Sequence, residues 1–442
     1  MDFRKYLQDS KELISLGLPI MIGQLGIIVL SFADTMMIGR HSVDELAAAS
    51  FVNNMFNLVI IFATGFSYGL TPVIGRMSGR KDENSAGRVL RNALAVNCIM
   101  ALILTALMAI LLLNIHRLGQ PEELLPLMHP YFLTLLISLI FVLPFNAFKQ
   151  FADGITDTVT PMCILLGGNV FNIVFNWFLI YGKAGFPEMG LLGAGIATLA
   201  SRALMFLVFT ILFLQSKRYK PYQTGFLKGK CNRQDSGELV RLGMPVGLQM
   251  GMETASFSLS TVMVGWLGTI ALAAHQVMLT AGQLGFMLYY GMAAAVSIRI
   301  SHFHGQENWT EVRTTAKTGF NIILLMAMSV SIFMLIFRHK IGFLFSDSAE
   351  VASAVATLVI PFVIYQFGDG MQCNYSNALR GISDVKMVSL YAFIAYFVVS
   401  LPSGWLLAFP LGLGLTGIWL SFPLGLTCAG LLFRGRFLRS LR

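Results

Sequence analysis

Twelve long apolar runs follow one another along this chain, and no other feature limits its fold so severely. A hydrocarbon core about 30 Å thick is crossed by roughly 20 helical residues. Runs of that order lie at 13–38, 46–75, 88–115, 129–150, 160–183, 189–215, 237–264, 270–298, 314–338, 350–378, 386–409 and 412–434. They are continuously apolar and do not alternate, which excludes a membrane-spanning strand barrel. Only 12% of the residues are charged, against about 25% in a soluble domain. The chain therefore reads as an all-α polytopic membrane protein with twelve transmembrane helices, and the lipid bilayer is its first partner.

The net charge of +9 is not gathered in one patch, which argues against nucleic acid as a partner. Lys and Arg recur in short clusters between the apolar runs. With the N-terminus and every second loop on one side, 25 of the 31 Lys and Arg fall there; Arg40, Arg117, Lys183, Arg338 and Lys340 fall on the other, and Arg202 lies within a span. Positive charge collects on the cytoplasmic side. The expectation is a multi-pass protein of the inner (cytoplasmic) membrane with both termini in the cytoplasm. The opening MDFRKYLQDSKEL shows no signal-peptide cleavage pattern. Five cysteines stand far apart with no CxxC spacing, so neither a disulfide framework nor a metal site is expected.

The longest polar stretch, SKRYKPYQTGFLKGKCNRQDSGE, sits at the middle of the chain. It divides the sequence into an N-terminal six-helix lobe (1–215), a basic cytoplasmic linker (216–238) and a C-terminal six-helix lobe (239–442). The halves resemble each other. A constant offset of 226 lays Gly17 on Gly243, Pro19 on Pro245, Gly39 on Gly265, Gly65 on Gly291 and Gly79 on Gly305. DGITD (153–157) resembles RGISD (380–384), and GLLGAGI (190–196) resembles GLGLTGI (412–418). Six spans per half is an even number, so both halves enter from the same side as parallel repeats. Transporters built this way hold substrate near mid-bilayer and move by rocking.

Of the 22 Asp and Glu, three lie inside spans: Asp34, Glu253 and Asp369. A charge at mid-helix costs about 2.5–3.5 kcal/mol on insertion scales, so residues kept there usually handle ions, protons or charged ligands. Gln249 precedes Glu253 by four residues and Tyr365 precedes Asp369 by four, which puts each polar neighbour on the carboxylate's helix face. Pro361, Gly368 and Gly370 are positioned to loosen span ten. In span five Asn172 and Asn176 share a face, at a depth similar to Thr198 in span six. With Asp34 they suit either a small cation that wants hard oxygen ligands or a hydrogen-bond network around a titrating carboxyl. Helix–helix adhesion by polar side chains is the bland reading. Arg202 is the one clear mid-span cation, free to snorkel, pair with a carboxylate or face a lumen.

At these residues the chain resembles a MATE (multidrug and toxic compound extrusion) transporter of the NorM-like branch. The resemblance rests on FADTMMIG, LTPVIGRMSGR, DGITDTVTP, NIVFNW, GAGIAT, METASF, FGDGMQ and ALRG, spread over nearly the whole length. It implies a V-shaped pair of six-helix lobes. It also implies a secondary antiporter that exports organic, cationic amphipathic compounds in exchange for Na⁺ or H⁺. On it Asp34, Asn172, Asn176 and Thr198 match an amino-terminal cation site, and Glu253 and Asp369, with Tyr365, match an acidic site in the carboxy-terminal lobe. Na⁺ could occupy either set; no cofactor is implied, and a monomer is expected. Arg202 matches no pattern of the family. A flippase for a lipid-linked oligosaccharide or lipid is the alternative, but it would favour a basic lumen. No enzyme is expected: GLGLTG (412–417) opens an apolar span without a preceding strand, and GxxxxGK[ST] is missing.

Overall fold

The computed structural model describes residues 3–118, 121–345 and 347–441; Arg442, one of the 25 Lys and Arg assigned to the cytoplasmic side, lies outside them. Among the described residues the regular structure is helical, without strands. The helices are α1 (Phe3–His41), α2 (Val43–Ser67), α3 (Leu70–Gly79), α4 (Glu83–Leu113), α5 (Leu125–Gly154), α6 (Val159–Ile180), α7 (Gly190–Gln215), α8 (Lys220–Lys228), α9 (Arg233–Gly265), α10 (Thr269–Gly305), α11 (Trp309–Ile341), α12 (Ala349–Gly381), α13 (Val388–Phe393), α14 (Leu401–Ala408) and α15 (Gly414–Ser440). A π-helical turn, Ile394–Ser400, joins α13 to α14. Pro402 stands just beyond it; a proline ring collides with the carbonyl four residues back, and a wider turn relieves that clash.

Among the described residues, eleven helical segments are long and apolar enough to cross a membrane. The span expected at 237–264 is α9, 33 residues long but outside that set because Gln249, Glu253, Thr254 and several serines dilute its apolar character. The span expected at 46–75 is interrupted at Tyr68–Gly69, between α2 and α3. Span ten behaves differently from the expectation. α12 runs unbroken through Pro361, Gly368 and Gly370. A Cβ at Gly368 would lie 2.8 Å from Thr427 Oγ1 of α15, and one at Gly370 2.8 Å from Ile323 Cγ2 of α11. These glycines bring helices together; they do not loosen one. Lipid offers no hydrophobic drive for helix association, so close backbone approach through small residues takes its place.

The chain forms two compact units, residues 22–247 and residues 1–21 with 248–442. This division falls inside α1 and α9, whereas the sequence placed the boundaries at 215 and 238. Within the first unit, the start of α9 packs on the α2–α3 break, where a Cβ on Gly69 would stand 2.6 Å from the Gly243 nitrogen. Within the second, the start of α1 packs on α10, where a Cβ on Gly291 would stand 2.9 Å from the Met21 nitrogen. The start of α1 is also anchored there by Asp9, whose Oδ1 is 2.6 Å from Arg299 Nη2. The stretch read as a plain linker contains α8, seated on α4: a Cβ at Gly87 would come within 2.0 Å of the Tyr222 carbonyl oxygen, and one at Gly225 within 1.9 Å of the Asn84 carbonyl oxygen. Gly87→Val therefore forces the two backbones apart. Overpacking of this kind should lower the melting temperature of the detergent-purified protein by about 5 °C or more, as read by differential scanning fluorimetry beside Gly237→Val, which meets open space.

Candidate functional site

Each unit carries a polar network built around a membrane-embedded carboxylate. In the unit 22–247, α1 brings Asp34, α6 brings Asn172 and Asn176, and α7 brings Thr198. Spacing of four turns both asparagines to one face, and both are fully buried. The amide nitrogen of Asn176 donates to Asp34 Oδ1 at 2.6 Å and to Asn172 Oδ1 at 2.9 Å. Asn172 in turn donates to Thr198 Oγ1 at 3.3 Å. The four residues expected to meet are thus joined in one chain of hydrogen bonds. Arg202, one turn beyond Thr198, donates to the buried Ser138 hydroxyl of α5 at 2.6 Å. Its charge is felt at Asp34 and at Tyr131, and Tyr131 donates to Asn53 at 2.9 Å. Of the fates left open for Arg202, it is held inside the unit in the electrostatic neighbourhood of Asp34.

The other network is built on α9, α12 and the π-helical turn. Gln372 spends both amide hydrogens at once, on Glu253 Oε2 at 3.1 Å and on the Tyr396 hydroxyl at 2.8 Å. Asp369 is buried, with Cys373 Sγ 3.7 Å from its Oδ1; its Oδ2 and Gln372 Oε1 are buried without a hydrogen-bond partner among the described residues. Glu253 and Asp369 lie close enough to feel each other's charge, and Tyr365 is buried beside Asp369. Gln249 shares the helix with Glu253 but is engaged elsewhere: Arg380 Nη2 donates to its Oε1 at 2.9 Å. The same guanidinium reaches Asn377 Oδ1 at 3.4 Å, and its charge is felt at Glu253.

The residues that the sequence reading missed are instructive. Gln372 lies three residues after Asp369, inside FGDGMQ, so helical spacing alone would have found it. Arg380 was counted among the loop cations, although it is the last-turn residue of α12 and is buried. Ser138 and Tyr396 sit in spans without an Asp or Glu, and only tertiary packing brings them to Arg202 and to the Gln372–Glu253 network. Among the described residues no cluster of three His, Cys, Asp or Glu could hold a metal ion; the oxygen donors here are amides, hydroxyls, Asp34 and the Glu253–Asp369 pair.

The MatE family model matches residues 19–178 and 245–406. The chain belongs to the MatE family. The two matched segments begin 226 residues apart (245 − 19), the same offset that aligns the glycines and prolines of the halves. Among curated relatives, the chain is 29% identical to the multidrug resistance protein NorM of Photobacterium profundum, over 91% of this chain and 88% of that one. Its fold is that of a Vibrio cholerae MATE transporter solved as an Asp-to-Asn mutant, with TM-score 0.88 at 19% identity over 99% of this chain and 98% of that one. It is equally that of a Pyrococcus furiosus transporter of the MOP superfamily described as having a binding pocket of reversed polarity, with TM-score 0.88 at 20% identity over 98% and 96%. This MatE chain is thus a multi-pass membrane protein of a transporter family.

Its networks can be tested bond by bond. Replacing Asn176 with Leu removes the donor to Asp34 while keeping the branching and heavy-atom count of the side chain. A hydrogen bond to a charged group contributes about 1.5–3 kcal/mol, so transport by Asn176→Leu should fall at least tenfold, while immunoblotting finds normal amounts in the membrane.

Proposed function

We propose that this MatE protein is a secondary active antiporter that exports organic, cationic amphipathic compounds in exchange for Na⁺ or H⁺. One observation carries the reading. In each unit a carboxamide donates one hydrogen to a membrane-embedded carboxylate and its second hydrogen to another side chain: Asn176 serves Asp34, and Gln372 serves Glu253. Carboxylates arranged in this way keep their geometry while their charge is neutralised by a proton, a small cation or a cationic substrate. Structural adhesion alone would not call for an ionisable group, because an amide or hydroxyl would serve at lower cost.

A ligand shifts a conformational equilibrium only through differential affinity for its two states. Entry of Na⁺ or H⁺ at Asp34 or at the Glu253–Asp369 pair cancels negative charge that a lipophilic cation would otherwise neutralise, which disfavours the substrate-bound form and drives release. The lipophilic cation suits a bilayer cavity because it brings charge without a tightly held hydration shell. The P. profundum relative, named for multidrug resistance, supports this substrate class. The distribution of Lys and Arg, 25 against 5, supports cytoplasmic termini.

The test is efflux of a fluorescent organic cation from proteoliposomes under an imposed Na⁺ gradient, an imposed pH gradient, or neither. Efflux driven by one gradient identifies the coupling ion, and Asp34→Asn should reduce that efflux at least tenfold. Dye movement that ignores both gradients would defeat the antiport reading. Glu253→Gln and Asp369→Asn should each impair transport to a similar degree, since either leaves one carboxyl where two are needed; loss confined to one of them would show that the pair does not act as a unit.

A further inference from the structure

The segment between α7 and α9 is far more ordered than a tether between two halves requires. Gln223 Nε2 donates to the carbonyls of Phe213 at 2.8 Å and Leu214 at 3.0 Å, closing the last turn of α7. At the other end of α8, Arg91 Nη1 of α4 donates to the carbonyls of Leu227 at 3.0 Å and Gly229 at 2.7 Å. Tyr219, Tyr222 and Phe226 recur at i, i+3 and i+7 and so share one face of the helix. That face is turned inward: Tyr222 meets Phe151 edge-on at 5.3 Å, and Phe226 meets Phe213 at 5.0 Å. The Tyr219 hydroxyl donates to Asp157 Oδ2 at 2.7 Å, and burial pushes this phenol above its ordinary range, so it stays a donor.

The opposite face is of a different kind. Lys220, Thr224, Leu227 and Lys228 are exposed along it; exposed Lys217 stands in the turn before the helix and Lys230 follows it. Leu227 is 62% exposed in the midst of these cations. Of the nearby acids, Asp157 accepts from Tyr219 and pairs with Arg218 at 3.2 Å, Asp235 pairs with Arg88 at 3.0 Å, and the exposed Glu83 at the start of α4 lies near the inward-facing Tyr222. Among the described residues none of these lysines is ion-paired, and the helix is clamped from behind. Because α8 connects the ends of two bilayer-length helices, it lies at the polar margin of the membrane. Lysines exposed at the membrane margin attract the negatively charged headgroups of the adjacent leaflet.

We propose that the exposed lysine face of α8 is a docking surface for anionic phospholipid headgroups. The aromatic face and the two carbonyl clamps hold the lysines at the headgroup level, and the phosphates supply the counter-charge that the chain withholds. Each lysine near a negatively charged leaflet strengthens binding about fivefold.

The experiment titrates the detergent-purified full chain with phosphatidylglycerol and, separately, with phosphatidylcholine of the same acyl chains, counting bound lipids by native mass spectrometry. It compares wild type with the triple variant Lys217→Gln, Lys220→Gln, Lys228→Gln and with the corresponding triple Arg variant. The Gln variant should bind phosphatidylglycerol at least tenfold more weakly and phosphatidylcholine unchanged, and the Arg variant should bind both like wild type. Equal phosphatidylglycerol binding by wild type and the Gln variant, or equal binding of the two lipids by wild type, overturns the proposal. Melting temperatures unchanged among the three proteins show that charge and not folding is being read. No outcome depends on whether the chain transports a dye.

Discussion

A carboxylate inside a bilayer has no water to solvate it, and the protein must replace that water with its own donors. The rest of this molecule can be read from that constraint. Asn176 on α6 and Gln372 on α12 each place both amide hydrogens, one of them on a carboxylate contributed by another helix. Such donors are useful only if the helices carrying them hold still to within a fraction of an ångström. The close helix contacts at Gly368 and Gly370, and the backbone approach of Gly69 to Gly243, hold the helices together where lipid gives no hydrophobic drive for packing.

The two halves share a repeat but not a polarity. An offset of 227 aligns DGITD with RGISD and therefore lays Asp153 on Arg380. In the first half Asp153 accepts from Lys149, one turn earlier on α5, at 2.9 Å. In the second, Arg380 leans on Gln249 and contributes positive charge near Glu253. The first half has its cation near the acidic network at Arg202, on α7. Each unit thus keeps one guanidinium within reach of its membrane carboxylates, but from positions that the repeat does not relate. A duplicated scaffold has been charged twice, independently.

Much of this was legible in the residues. The twelve apolar runs, the internal repeat and the cost of charge in lipid singled out the helices and the three embedded carboxylates. Spacing of four put Asn172 and Asn176 on one face, and they do meet Asp34 and Thr198 in one chain of bonds. The same spacing was less informative at Gln249, which shares a helix with Glu253 yet bonds to Arg380. Periodicity tells which residues share a face; it says nothing about which helix that face will meet. The glycines of span ten show a similar limit. Gly beside Asp in a membrane helix reads as looseness, and only the neighbouring helices reveal that the missing side chains make room for α15 and α11.

The sequence by itself determined the class of the molecule: long apolar runs cannot be hidden from water, a repeat at constant offset shows in Gly and Pro, and buried charge is too costly to be incidental. All three are properties of residues and their order along the chain. Tertiary structure alone decided the partners. Tyr396 stands 24 residues from Gln372 and Ser138 stands 64 from Arg202, and no local propensity links them. It also decided that α1 and α9 are each divided between the two compact units, and that the linker carries a helix clamped from behind. Such contacts come from the packing of whole helices, and packing depends on every side chain at an interface at once.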